Sequence, residues 1–194
     1  MPPSERRAGK LHTVLSQRQP DLTVVMENIH DPHNVSAVLR SCDAVGVLRV
    51  ELLYNVEPFP RIGRKSSSSA NKWLDRRLHS TVDECYSVLR REGYRIYATH
   101  LDAKAVPLYE LDLTLPVALV FGNEHRGVSS EAAAKADANF QIPMMGMIQS
   151  LNVSVATAVS LYEALRQRIA AGRYAAPAMP QEELERKFKD WAGR

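Results

Sequence analysis

LTVVMENIHDPHNVSAVLRSCDAVGV, residues 22–47, changes its periodicity partway along. Residues 22–29 (LTVVMENI) are largely apolar without strict alternation, as in a strand buried on both faces. Pro32 then breaks the chain, and Asn34 is well placed to cap a helix. Val35, Val38, Leu39, Cys42 and Val45 follow at helical spacing, which predicts a helix over 34–45 with one buried face. A buried strand feeding an amphipathic helix is the repeating unit of an α/β fold.

Outward from this unit the alternation repeats. Apolar runs at 49–53 (RVELL), 94–99 (YRIYAT), 117–121 (VALVF) and 139–142 (NFQI) predict further strands, and helical patterns fall at 81–92, 129–137 and 151–170. The expected fold class is α/β, a mostly parallel sheet with helices on both faces. Within 151–170, Leu151, Val155, Ala158, Tyr162, Leu165 and Ile169 form one apolar stripe. Residues 1–17 read as a short basic helix, 171–180 (AGRYAAPAMP) as a linker, and 181–192 (QEELERKFKDWA) as a final helix carrying Trp191.

The 194 residues suit one globular domain, and 45% hydrophobic with 24% charged residues is an ordinary folded composition. Net charge is only +3, but the positive residues are grouped. Arg6, Arg7, Lys10 and Arg18 face one acid, Glu5, and Arg61, Arg64, Lys65, Lys72, Arg76 and Arg77 face only Asp75. Such clusters suit a phosphate-binding surface or a plain solvated face. Cys42 and Cys85 give neither zinc spacing nor a disulfide framework, so a reducing cytoplasm is expected. MPPSERRAGKLHTV lacks the apolar core of a signal peptide, and no stretch is apolar enough to span a membrane.

Open parallel sheets bind ligands beyond the C-terminal ends of their strands, so polar residues just after strands are the candidates. In the first such segment Ser36 and Arg40 lie four residues apart on one helix face, with Asn34 nearby. Arg40 could serve a polyanion or pair with Asp43, and Asn34 could serve the site or only cap the helix. His30 and His33 flank a proline without further ligands, so no metal is expected. In the second segment, VFGNEHRGVSSEA (120–132), Gly122 either admits a ligand close to the backbone or makes the turn. In the third, IPMMGMIQSLNVS (142–154), capping accounts for Ser150 or Asn152, and the methionines could pack as core or cover a flat ring. No strand is followed by G-x-G-x-x-G, and G-x-x-x-x-G-K-[ST] is absent, which argues against a dinucleotide or a phosphate-loop nucleotide.

Taken together, NxxDPHNVSAVLRSCDAVGV (28–47), LVFGNEHRGVS (119–129) and IPMMGMIQSLNVSVATAVSLYEA (142–164) resemble the three signature motifs of the TrmH group of SPOUT RNA methyltransferases. The likeness runs over essentially the whole chain, and the terminal helices are similar to those of the tRNA-modifying members. The resemblance implies a C-terminal deep trefoil knot at about 95–165, a homodimer, and S-adenosylmethionine bound in the knot. It implies a basic helical extension at 1–20, a catalytic domain at 21–170 and a linker with a helix at 171–194. Methyl transfer to a ribose 2′-hydroxyl is the implied reaction, expected on the D-loop guanosine at tRNA position 18. The alternatives are ribosomal RNA as substrate, a non-catalytic RNA-binding protein of this fold, or a flavodoxin-like nucleotide binder.

By the same resemblance Thr99, His100, Gly122, Ile142, Met144 and Leu151 would hold the cofactor. Arg40, Asn34, Glu124, Ser150 and Asn152 would form the catalytic set. Arg40 either stabilises a developing alkoxide while a neighbouring phosphate takes the proton, or itself loses a proton. Arg6, Arg7, Lys10, Arg18, Arg61, Arg64, Lys65 and Lys72 would contact RNA. The chain departs from its relatives at 66–73 (SSSSANKW), where they commonly carry glycine, which bears on RNA choice. The sequence does not decide which subunit of a dimer supplies Arg40 to each site.

Overall fold

The computed structural model describes residues 3–61 and 70–194. Seven strands, β1 (Leu22–Glu27), β2 (Arg49–Leu53), β3 (Asp75–His79), β4 (Arg95–Thr99), β5 (Val106–Pro107), β6 (Val117–Phe121) and β7 (Ala138–Gln141), form one sheet in the order β3-β2-β1-β6-β4-β7-β5. Every pairing between these strands is parallel. The helices are α1 (Glu5–Ser16), α2 (Pro32–Ala44), α3 (Val82–Arg91), α4 (Ser130–Lys135), α5 (Val153–Ala170) and α6 (Gln181–Ala192).

The central strands β1 and β6 are buried throughout, as their unalternating apolar runs require. Leu22, Val24 and Met26 point to the face covered by α2 and α5, and Val25 points to the face covered by α3 and α4. A third cluster joins α1 to α6 through Leu11, Leu15, Leu184 and Trp191.

Two strands escape a search for apolar runs. The short β5 carries almost no signal, and β3 (DRRLH) sits at the sheet edge with charges along it. Its Arg77, grouped above with a basic surface, donates from Nε to Glu51 Oε2 at 2.8 Å and also pairs with Glu92. His79 Nε2 lies 2.6 Å from the same buried Glu51 carboxylate. Burial opposes ionisation of Glu51, but the bonds from His79 and Arg77 outweigh it and hold the carboxyl down at about 2.

Two further expectations change, and the α5 stripe gains a direction. Asp31 caps α2, its side chain accepting from His33 N at 2.8 Å with Pro32 in the first turn, so Asn34 is released from capping. Arg18 is fully buried, donating to Val47 O at 2.7 Å, pairing with Asp43 and lying over the Trp191 ring at 5.0 Å. It rivets the ends of α1, α2 and α6 from inside and therefore leaves the RNA-facing set. The α5 stripe is split in the single chain: Val155, Tyr162 and Ile169 are 47%, 54% and 59% exposed, while Leu165 packs against the core beside Leu161 and Ala164.

Candidate active site

Loops leaving the C-terminal ends of β4, β6 and β7 meet around a pocket of about 470 Å³. Its floor is apolar, with Phe121 and Phe140 packed edge to face at 6.2 Å beside Val153 and Ala156. Thr99, His100, Gly122, Ile142, Met144 and Leu151 all line it, as do Glu124, Ser150 and Asn152. Gly122 serves the turn. A Cβ there would lie 2.1 Å from the carbonyl of Gly127, because the loop folds back through Asn123 N to Gly127 O (3.0 Å) and Gly127 N to Asn123 O (2.8 Å).

The tip of that fold-back loop carries Glu124. Its Oε1 accepts from Asp31 N and from Asn34 Nδ2, each at 3.0 Å, and its Oε2 accepts from His30 N at 3.0 Å. Asn34 Oδ1 in turn accepts from Asn152 Nδ2 at 3.1 Å. Asn152 Oδ1 caps α5 by accepting from Ser154 N at 2.9 Å. One chain of polar contacts therefore links all three sequence segments along the rim of the pocket. Burial opposes ionisation of Glu124, yet the bonds from Asn34 and from the His30 and Asp31 amides prevail and hold its carboxyl below the usual range. Tyr54 stands close by, donating to Ile29 O at 2.9 Å; burial, and then the Glu124 charge, raise its hydroxyl pKa.

Arg40 stands apart. It is exposed on α2, is absent from the pocket lining, and among the described residues makes no hydrogen bond or ion pair. Asp43, its suggested partner, is taken by Arg18. Ser150 lines the pocket from an exposed loop. Of the basic set, Arg6, Arg7, Lys10, Arg61 and Lys72 are exposed, and Arg64 and Lys65 lie outside the described residues, as do the serines at 66–69. Phe121, Phe140 and Asn123 line the pocket without having been singled out; strand-end position alone could have flagged Asn123. Among the described residues no group of three His, Cys, Asp or Glu could hold a metal, and no helix is long and apolar enough to cross a membrane.

The pocket has the size and apolar lining of sites that enclose a small cofactor, typically about 300–1,000 Å³. Three loops set polar side chains, among them Thr99, His100, Asn123 and Asn152, beside this apolar floor, so the residues present fit a cofactor with an apolar ring and polar substituents such as S-adenosylmethionine.

A family model described as the SpoU rRNA methylase family matches residues 21–162. The tRNA (guanosine(18)-2′-O)-methyltransferase of Thermus thermophilus is 46% identical over 188 residues, covering 97% of this chain and 96% of the relative. The solved structure of a TrmH/SpoU tRNA modifying enzyme from A. aeolicus superposes with a TM-score of 0.91 at 40% identity, covering 97% of this chain and 96% of that one. The SpoU methyltransferase AviRb from Streptomyces viridochromogenes, solved in complex with the cofactor AdoMet, aligns with a TM-score of 0.69 at 25% identity, covering 80% of this chain and 62% of that one. The family model spans all but the terminal segments, and the chain belongs to the SpoU rRNA methylase family.

Proposed function

We propose that the chain methylates the ribose 2′-hydroxyl of guanosine 18 in tRNA, with S-adenosylmethionine as methyl donor. The observation that carries this is the hydrogen-bonded line Glu124–Asn34–Asn152 along an apolar pocket in a chain 46% identical to an enzyme named for that reaction. When bound there, S-adenosylmethionine supplies an electrophilic methyl group on a sulfonium. The residues at 99–101, 122–128 and 142–151 would hold the donor and exclude water from it. A guanidinium is a fork of donors with no acceptor, so Arg40 would act as a cationic hydrogen-bond donor. It would grip the phosphate beside the target ribose and stabilise the developing alkoxide, with the hydroxyl proton passing to that phosphate oxygen. Asn34 would orient the ribose, and Ser150 would complete the donor's surroundings.

Since Arg40 does not reach the pocket of its own chain, a homodimer in which a partner supplies it is part of the proposal. The outward part of the α5 stripe and the exposed Met145, Met147 and Ile148 support such an interface. A C-terminal knot at about 95–165 is also proposed. It draws support from β7, which inserts between the earlier strands β4 and β5 so that the chain after it must leave past their connecting loop. Residues 21–170 would be the catalytic unit, with the extensions 1–20 and 171–194 joined through α1 and α6 as an RNA-facing flank. The exposed Arg6, Arg7, Lys10, Arg61 and Lys72 would meet tRNA phosphates, in the cytoplasm where tRNA matures. The test is transfer of labelled methyl from S-adenosylmethionine to unmodified tRNA; RNA binding without transfer would leave only a binding protein.

A further inference from the structure

Among the described residues Asn28 is the one non-glycine residue with positive φ, at +52°. Asparagine tolerates the left-handed region better than most residues, but a strained backbone persists only where its surroundings hold it. Here they hold it from every side. Asn28 follows the last residue of β1 and is buried. Its Oδ1 accepts from three successive backbone amides, Asn55 at 3.2 Å, Val56 at 3.1 Å and Glu57 at 3.1 Å. Its Nδ2 donates to Asn55 Oδ1 at 2.8 Å, its own N donates to Leu53 O at 2.9 Å, and its O accepts from Asn123 Nδ2 at 2.8 Å.

Two loops hang on this residue. The loop after β2 is gathered so that Glu57 meets Arg126 Nη2 at 2.9 Å, and Arg126 lines the pocket. The loop after β6 is held at Asn123, next to Glu124, while the neighbouring Glu27 accepts from Ser129 N at 2.9 Å at its far end. The left-handed turn also redirects the chain so that the His30 and Asp31 amides face the Glu124 carboxylate. We propose that Asn28 is a positioning residue, one whose turned backbone and side-chain clamp set Glu124, and through it Asn34 and Asn152, in register for methyl transfer. This rests on the function proposed above.

The side chain explains why asparagine stands there. Aspartate would keep the acceptor but would lose the donor to Asn55 and add a charge near Glu57 and Glu124. Glycine would keep the turn without strain and remove the clamp. Its loss exposes amides of a surface loop that water can satisfy, so the fold should survive while the loops drift. A misplacement of about 1 Å can cost ~100-fold in rate.

The experiment measures kcat and KM for tRNA, the S-adenosylmethionine dissociation constant by calorimetry, and thermal unfolding, for wild type, Asn28→Gly, Asn28→Asp and Asn28→Ala. The expected result for Asn28→Gly and Asn28→Asp is a kcat at least tenfold lower, with KM for tRNA within about threefold and a folded protein. Asn28→Ala, which must hold the left-handed turn without either aid, is expected to melt below Asn28→Gly, and a melting temperature at or above that of Asn28→Gly overturns the strain assigned to the turn. A kcat within twofold of wild type in the folded Gly and Asp variants overturns the positioning role. A wild-type protein that methylates no RNA refutes the proposed function instead, and this inference with it.

Discussion

Replacing Glu124 by glutamine keeps the shape of the side chain and removes its charge. The carboxylate accepts three bonds, all at 3.0 Å, from His30 N, Asp31 N and Asn34 Nδ2. A glutamine has one acceptor oxygen, so it can serve Asp31 and Asn34 while its amide group confronts the His30 N–H. A charged hydrogen bond contributes about 1.5–3 kcal/mol net and a neutral one about 0.5–1.5 kcal/mol. One lost bond and two weakened ones sum to about 4 kcal/mol; partial exposure lets water replace some of this, leaving about 2 kcal/mol. At about 2–4 °C per kcal/mol for a chain of this size, Glu124→Gln should melt about 4–8 °C below wild type at pH 7. The sign with pH follows from the lowered folded-state pKa. The stabilisation is complete above the unfolded value near about 4.3 and is lost as pH falls through the folded one. The gap between wild type and variant should therefore close below about pH 4. Differential scanning calorimetry from pH 3 to 8, with methyl-transfer rates at pH 7, reads both effects. A variant that melts with wild type at pH 7, or a gap that stays constant into acid, refutes the role assigned to the carboxylate.

Arg40→Ala should reduce methyl transfer by at least ~100-fold while S-adenosylmethionine affinity, measured by calorimetry, stays within about threefold; an equal loss of affinity would move Arg40 into the donor site. Arg18→Ala leaves Asp43 without its buried partner and strips a cation from the Trp191 face, so it should cost about 3 kcal/mol and lower the melting temperature by about 6–12 °C. Intact stability with weakened tRNA binding would return Arg18 to the RNA surface. Tyr162→Asp places a charge in the outward part of the α5 stripe and should convert a dimer to monomers in sedimentation velocity, with methyl transfer falling alongside; a dimer that survives would place the interface elsewhere.

Much of this was legible in the letters. The unalternating runs of β1 and β6 are buried on both faces, and Asn152 caps α5 as its position suggested. All six residues carried over as donor contacts line one pocket. What stayed hidden depends on distant partners. The alternation of β3 is polar because Arg77 and His79 satisfy a buried Glu51 from the next strand, which no local pattern encodes. Arg18 looks like any basic-tail residue until Asp43, Val47 and Trp191 close around it. The stripe on α5 announced a helix but not its direction, because periodicity fixes which residues share a face and not what covers it. Asn28 gave no periodic signal, since its role is a backbone angle and a set of bonds to loops 25 or more residues away.

The central claim, that the pocket and the Glu124–Asn34–Asn152 line serve ribose methylation of tRNA, is tested most directly by mapping the product. Unmodified tRNA and ribosomal RNA are each incubated with the protein and S-adenosylmethionine, digested, and analysed by nucleoside mass spectrometry with positional mapping. The expected product is 2′-O-methylguanosine at position 18 of tRNA and nowhere in ribosomal RNA. A methyl group on a base, on ribosomal RNA alone, or on neither RNA would contradict it.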